Sequence, residues 1–96
     1  MAIARVFDGK GWTAEQFEAL NNRLIERLKL SAGQSAPGVL FHWSAQTADG
    51  MRVVDVYESR QAADDLAQQH IGPIASELGM SFPEITEYEV HGYLRR

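Results

Sequence analysis

His42, Asp55 and Tyr57 are the side chains in this chain whose types and spacing could move a proton. An imidazole with a pKa of about 6.5 exchanges its proton near neutral pH. A carboxylate beside it could hold its orientation and favour its charged form, and a phenol could donate to a substrate oxygen. Together they would remove or relay a proton and stabilise the oxyanion of an enol or phenolate. The ordinary alternative is a polar network that satisfies itself on burial.

What must position these groups is a hairpin. Residues 38–47 read Gly-Val-Leu-Phe-His-Trp-Ser-Ala-Gln-Thr, and residues 51–58 read Met-Arg-Val-Val-Asp-Val-Tyr-Glu, with an Asp-Gly turn signal between them. If Ala48 and Asp49, or the four residues 47–50, form an even-length loop, pairing keeps one parity. His42, Ser44, Asp55 and Tyr57 then share a face, and Val39, Phe41, Trp43, Ala45, Val54 and Val56 share the other. A three-residue loop would break this sorting.

The rest of the chain supplies two helices and two more strands. Residues 2–7 form an apolar run that the Asp8-Gly9-Lys10-Gly11 turn should stop. Thr13 and Gln16 make a capping box, with Trp12 and Phe17 at the staple positions. Phe17, Leu20, Leu24 and Leu28 then recur at helical spacing, and Arg23, Arg27 and Lys29 suit the negative end of the macrodipole. Residues 31–38 form the loop into the hairpin. Ser59 can cap a second helix with Ala63, Leu66, Ala67 and His70 on one face. Pro73 lacks a backbone donor and would clash with the carbonyl of residue 69, so the helix must kink there or restart as a short helix over 73–78. Residues 79–83 form a loop, and a last β-rich run over 85–94 carries Tyr88, Val90 and Tyr93.

The order βαββαβ predicts a single α+β ferredoxin-like domain over residues 1–96, with helices on one face of an antiparallel sheet. Bulky apolar residues on the other face predict a homodimer closed sheet against sheet. The composition is that of an ordinary folded domain, 45% hydrophobic and 23% charged, with no disordered tract. A net charge of -4 and scattered basic residues argue against a nucleic-acid partner. No run can span a bilayer and no secretory signal is evident, which gives no membrane partner and a cytoplasmic location as the expectation. With no cysteine there is no thiolate nucleophile, disulfide or iron-sulfur site.

Other candidates are weaker. His70 sits just before Gly72-Pro73, where a kink could turn it into a cavity as a ligand contact, or where it could simply meet the helix dipole. Phe82 could close a cavity mouth or seal a subunit contact. Trp43 fits dimer packing, and His91 fits a dimer or solvent contact. No His pair has the spacing of a local metal site, so no metal is expected. Phosphate-cradle and nucleophile-elbow patterns are also missing.

The chain resembles the antibiotic biosynthesis monooxygenase-like group of the dimeric α+β barrel superfamily. The resemblance spans nearly the whole chain and rests on the element order, on Val-Asp-Val-Tyr-Glu-Ser-Arg-Gln-Ala at 54–62, and on Ile-Gly-Pro-Ile at 71–74. It implies a cavity between helices and sheet, with the aromatic at the Tyr57 position facing it and Asp55, His42 and Ser44 beside it. It further implies cofactor-independent oxygenation or proton-transfer isomerisation of a hydrophobic, aromatic or polyketide-like molecule, with no cofactor. A noncatalytic dimer that binds a small ligand or a protein is the alternative. Two departures bear on the substrate: the aromatic is often Trp and its neighbour two residues earlier often Glu, where this chain has Tyr57 and Asp55. The haem-degrading branch resembles the chain less, since residues 2–7 hold no Asn and residues 59–78 no Trp.

Overall fold

A computed structural model describes residues 1–31 and 33–92 of the chain. Four strands, β1 (Ile3–Lys10), β2 (Val39–Gln46), β3 (Gly50–Tyr57) and β4 (Glu84–Glu89), form one antiparallel sheet in the order β2-β3-β1-β4. Helix α1 (Ala14–Leu28) follows β1. Helix α2 (Arg60–Leu66), a π-helical turn (Ala67–Ile71) and α3 (Gly72–Glu77) follow β3 without a break. This is the α+β ferredoxin-like arrangement. No helix among the described residues is long and apolar enough to cross a membrane.

The hairpin keeps even parity. Gln46 pairs with Met51, leaving the four residues 47–50 as the loop, and Thr47 N–H closes it on the Gly50 carbonyl at 2.9 Å. His42 therefore pairs with Asp55 and Ser44 with Val53 on the helix side. Val39 departs from the expected parity. A β-bulge between Val39 and Phe41 gives β2 one extra residue, which carries Val39 to the helix side opposite Tyr57. There it packs with Ile3, Tyr57, Ala63 and Leu66.

Strand β1 also runs further than its sequence predicts, through Asp8, Gly9 and Lys10. Three long-range contacts outweigh the turn-forming composition. Asp8, Gly9 and Lys10 pair with Arg52, Met51 and Gly50, Asp8 accepts from the Arg52 guanidinium at 2.7 Å, and Gly11 N–H donates to the Asp49 carbonyl at 2.7 Å. Gly9 is needed here for space. A Cβ on it would lie 1.9 Å from the Trp12 indole, which packs across the strand and donates to the Ser81 carbonyl at 2.8 Å.

Thr13 caps α1 in a full capping box with Gln16, and Phe17 joins Met51 and Val53 in a buried cluster with Trp12 and Phe7 against it. The helix stops at Lys29, whose left-handed φ of 54° turns the chain away. Ser59 caps α2. Helix α2 is also fixed to the sheet by charge: Arg5 binds Asp64 at 2.7 Å and Glu87 at 3.0 Å, and Arg60 binds Glu87 at 2.8 Å. The two arginines, Arg60 first, hold the Glu87 carboxyl below the usual carboxylate range.

At Pro73 the chain stays helical, passing through the π-helical turn at Ala67–Ile71 into α3, of which Pro73 is the second residue. Proline has no N–H to offer the carbonyl four residues earlier, that of Gln69. Arg27 of α1 donates to it instead, Nη2 to O at 2.9 Å. Strand β4 stops at Glu89, although Val90 N–H still donates to the Ala2 carbonyl at 3.0 Å. Tyr93 and Leu94, expected in that strand, lie outside the described residues.

Replacing Gly9 by Ala should force the indole out of its seat. We expect a loss of about 1–3 kcal/mol in urea unfolding, typical of overpacking, with a red shift of tryptophan emission. Unchanged stability and emission would show that Trp12 does not need the space.

Candidate functional site

The sheet's helix side carries one row of charge across all four strands. His42, Asp55, Arg5 and Glu87 pair in register from β2 through β3 and β1 to β4. Arg5 turns to Asp64 and Glu87, which leaves Asp55 to its own strand and to β2. The Asp55 side chain is almost wholly buried. One carboxylate oxygen meets His42 Nδ1 in a short contact, and the other accepts from the Tyr57 hydroxyl at 2.9 Å. Such pairing is what a buried carboxylate requires.

His42 stands differently from its partner. Strand β2 is a sheet edge, and 42% of the imidazole surface is open to solvent. Its inner surface lies beside Phe17, the rings nearly parallel with centroids 6.3 Å apart. The hydrogen bond to Asp55 raises the His42 pKa above 6.5, burial partly opposes this, and the carboxylate's charge adds to it. The raised value makes the ring a stronger base. It also means that the pair's contribution to stability is complete below the unfolded pKa of about 6.5 and fades as pH rises through the folded value; solvent at the ring reduces its size.

Tyr57 is 1% exposed, and burial first, then the Asp55 charge and hydrogen bond, pushes its pKa far above the usual phenol value. Its hydroxyl is a donor at working pH and is committed to Asp55. Ser44 lies one pair further along β2 on the same side, opposite Val53, and is exposed. Phe82 projects from the loop before β4 with 88% of its surface open, so it closes no cavity within the subunit.

His70 is elsewhere. It belongs to the π-helical turn and lines a cleft of about 300 Å³. The cleft's walls are Leu28 at the end of α1, Pro37 and Gly38 in the loop before β2, Glu58 after β3, Ala62, Asp65 and Leu66 of α2, and Gln69 of the π-helical turn. None of His42, Ser44, Asp55, Tyr57 or Phe82 lines it. The five predicted contacts and His70 thus divide among three places: a triad with Ser44 near it, a cleft, and a loop tip. Among the described residues no group of three or more His, Asp or Glu side chains could hold a metal ion.

Sequence reasoning missed two parts of this arrangement. Phe17 was placed by its helix staple and its second contact, with His42, depends on how α1 crosses the sheet. The cleft residues Glu58, Asp65 and Gln69 carry no motif. The only signal in the chain was Pro73, whose missing N–H leaves the Gln69 carbonyl to be served from another helix.

No protein-family model and no curated protein matches the chain. Solved structures do. A candidate antibiotic biosynthesis monooxygenase from Chloroflexus aurantiacus J-10-fl is similar with a TM-score of 0.61 at 20% identity, over 97% of each chain. SnoaB, a cofactor-independent oxygenase from Streptomyces nogalater, gives 0.57 at 22% identity, over 99% of this chain and 96% of its own. A monooxygenase from the gene ActVA-Orf6 of Streptomyces coelicolor, solved with nanaomycin D, gives 0.51 at 20% identity, over 99% and 91%. Identities at this level speak for the fold and leave the activity to the site. The chain has the fold of these antibiotic biosynthesis monooxygenase-like structures.

Proposed function

We propose that this protein is a small enzyme that takes a proton from a hydrophobic aromatic or polyketide-like molecule, with His42 as the base and no bound cofactor. The observation that carries this reading is the half-open imidazole held from behind by a buried carboxylate. Asp55 orients the ring and makes it more basic, and Tyr57 holds Asp55. Removal of a proton from a phenol or an activated carbon leaves an electron-rich anion. Such an anion can pass electrons to dioxygen without help, or take the proton back at another carbon, so oxygenation and isomerisation share this first step. The likeness to SnoaB and to the nanaomycin D-bound structure favours oxygenation.

The same reading calls for a second copy of the chain. On the side of the sheet away from the helices, Trp43, Val54, Val6 and Thr86 form one row, and Phe41, Val56, Ala4 and Tyr88 the next. Trp43 is 42% exposed, Phe41 45% and Tyr88 56%. Rings this open on a continuous apolar face suit a sheet-to-sheet homodimer. A cytoplasmic location belongs to the same proposal.

Oxygen uptake with a panel of phenolic polycyclic compounds should fall about 10²–10⁴-fold in His42→Ala, the range for losing a general base; equal turnover would remove His42 from the reaction and leave a binding protein as the reading. The base works only when neutral, so the wild-type rate should rise with pH through a midpoint above 6.5. In Asp55→Asn that midpoint should fall, and an unmoved midpoint would separate Asp55 from His42. In light scattering after size exclusion the wild type should run as a dimer and Trp43→Glu as a monomer; a monomeric wild type at micromolar concentration would sink the interface. Tyr57→Phe strands one oxygen of a buried carboxylate and should cost about 1–3 kcal/mol in urea unfolding, with no loss if water takes the hydroxyl's place.

A further inference from the structure

Arg5 and Asp55 stand directly opposite each other on neighbouring strands, on the side of the sheet that faces the helices. Side chains paired in this way have their Cβ atoms about 4.5–5.5 Å apart, and opposite charges there attract. Both groups are largely withdrawn from water, with 13% of the Arg5 side chain and 9% of the Asp55 side chain open. Opposite charges so placed should bond to each other. Among the described residues, however, no ion pair joins these two.

Two other carboxylates hold the guanidinium instead. Arg5 Nη2 donates to Asp64 Oδ1 of α2 at 2.7 Å, and Arg5 Nε donates to Glu87 Oε1 of β4 at 3.0 Å. Glu87 is itself fixed by Arg60, whose Nε and Nη2 donate to its other oxygen at 3.0 and 2.8 Å. Asp55 has the capacity to compete for Arg5. An ionised carboxylate offers about four lone-pair sites, and Asp55 uses one oxygen for His42 and the other for Tyr57. The charge of Arg5 already reaches this group, since at the Tyr57 hydroxyl it partly offsets the upward push of burial and of Asp55. The polar surroundings of Asp55 are His42 from β2, Tyr57 from its own strand and Arg5 from β1, with Asp64 and Glu87 behind Arg5; α1 meets His42 with the uncharged Phe17. A guanidinium bound to Asp55 would neutralise the carboxylate that draws a proton onto His42, and the imidazole would become a weaker base.

We propose that Asp64 and Glu87 are positioning residues for His42, which neither of them touches: by binding Arg5 they keep its charge off Asp55 and reserve that carboxylate for the imidazole. Arg60 supports them by fixing Glu87. Their role in the reaction rests on the reading of His42 as its base.

The test is a pH titration of the His42 ring signals by nitrogen-correlated NMR, on the full chain without substrate. Asp64→Asn together with Glu87→Gln removes both carboxylates that bind Arg5 and leaves Asp55 opposite it. The His42 midpoint should then fall by about one pH unit, the size of change that a charge brought within a few ångströms produces. Each single substitution should give part of the fall, which keeps the measurement possible if the pair together unfolds the chain. Adding Arg5→Gln to the double variant should bring the midpoint back towards the wild-type value, because the charge set loose is then gone. A midpoint unmoved in every folded variant of the two carboxylates would overturn the proposal. So would a fall that Arg5→Gln does not reverse, since loosening of α2 from the sheet would then be its cause. None of these readings uses turnover, so equal rates in wild type and His42→Ala would sink the proposed reaction and leave the link from Arg5 to His42 to be decided by the titration.

Discussion

One buried carboxylate sets the terms for this subunit. Asp55 lies on the central strand β3, between an apolar cluster around Phe17, Met51 and Val53 and another around Ile3, Tyr57 and Leu66. An ionised group in that position is tolerable only if each oxygen has a donor. Tyr57 supplies one from two residues along the same strand, and His42 supplies the other from the neighbouring strand. The first is local and follows from alternation. The second needs β2 in a single register, because a slip of one residue would exchange His42 for Phe41 or Trp43 and leave the carboxylate facing carbon. The polar group that could do chemistry is thus also the group that penalises misfolding of the hairpin.

Alternation explains why the triad was legible in the sequence. Side-chain parity needs only a loop length and a pairing, and Asp49-Gly50 marked the turn, so His42, Asp55 and Tyr57 could be placed on one face from residue numbers alone. The capping box at Thr13 and Gln16 was legible for the same reason: its partners are three residues apart. What escaped depends on contacts distant in sequence. The bulge that turns Val39 inward is one backbone residue with no mark in composition. The extension of β1 depends on Trp12 folding back over Gly9 and on Arg52 reaching Asp8. Pro73 announced a disturbance, yet the choice between kink and π-helical turn rests with Arg27, 46 positions earlier in numbering, donating to Gln69.

The charge row on the helix side shows how a single sheet can hold both a fastening and a candidate site. At the β4 end, Arg5, Glu87, Arg60 and Asp64 neutralise one another and attach α2 to the sheet. At the β2 end, the same row finishes with an imidazole at an edge strand, where no further strand covers it. Burial is deepest at Asp55, in the middle of the row, and least at His42, which ends it. The apolar rows on the opposite side follow the same period with opposite content, and this is why one hairpin can face a helix layer with polar groups and still leave aromatic rings open on its other face.

The triad and the cleft are separated by little more than one layer of side chains. Tyr57 turns its hydroxyl to Asp55, while its ring packs in the cluster that contains Leu66 and has Leu28 against it. Leu28 and Leu66 are also wall residues of the cleft. Close-packed interiors pass displacement from one side chain to the next, because they hold no free volume to absorb it. The Tyr57 ring thus fills the space between the wall of the cleft and the carboxylate that its hydroxyl serves.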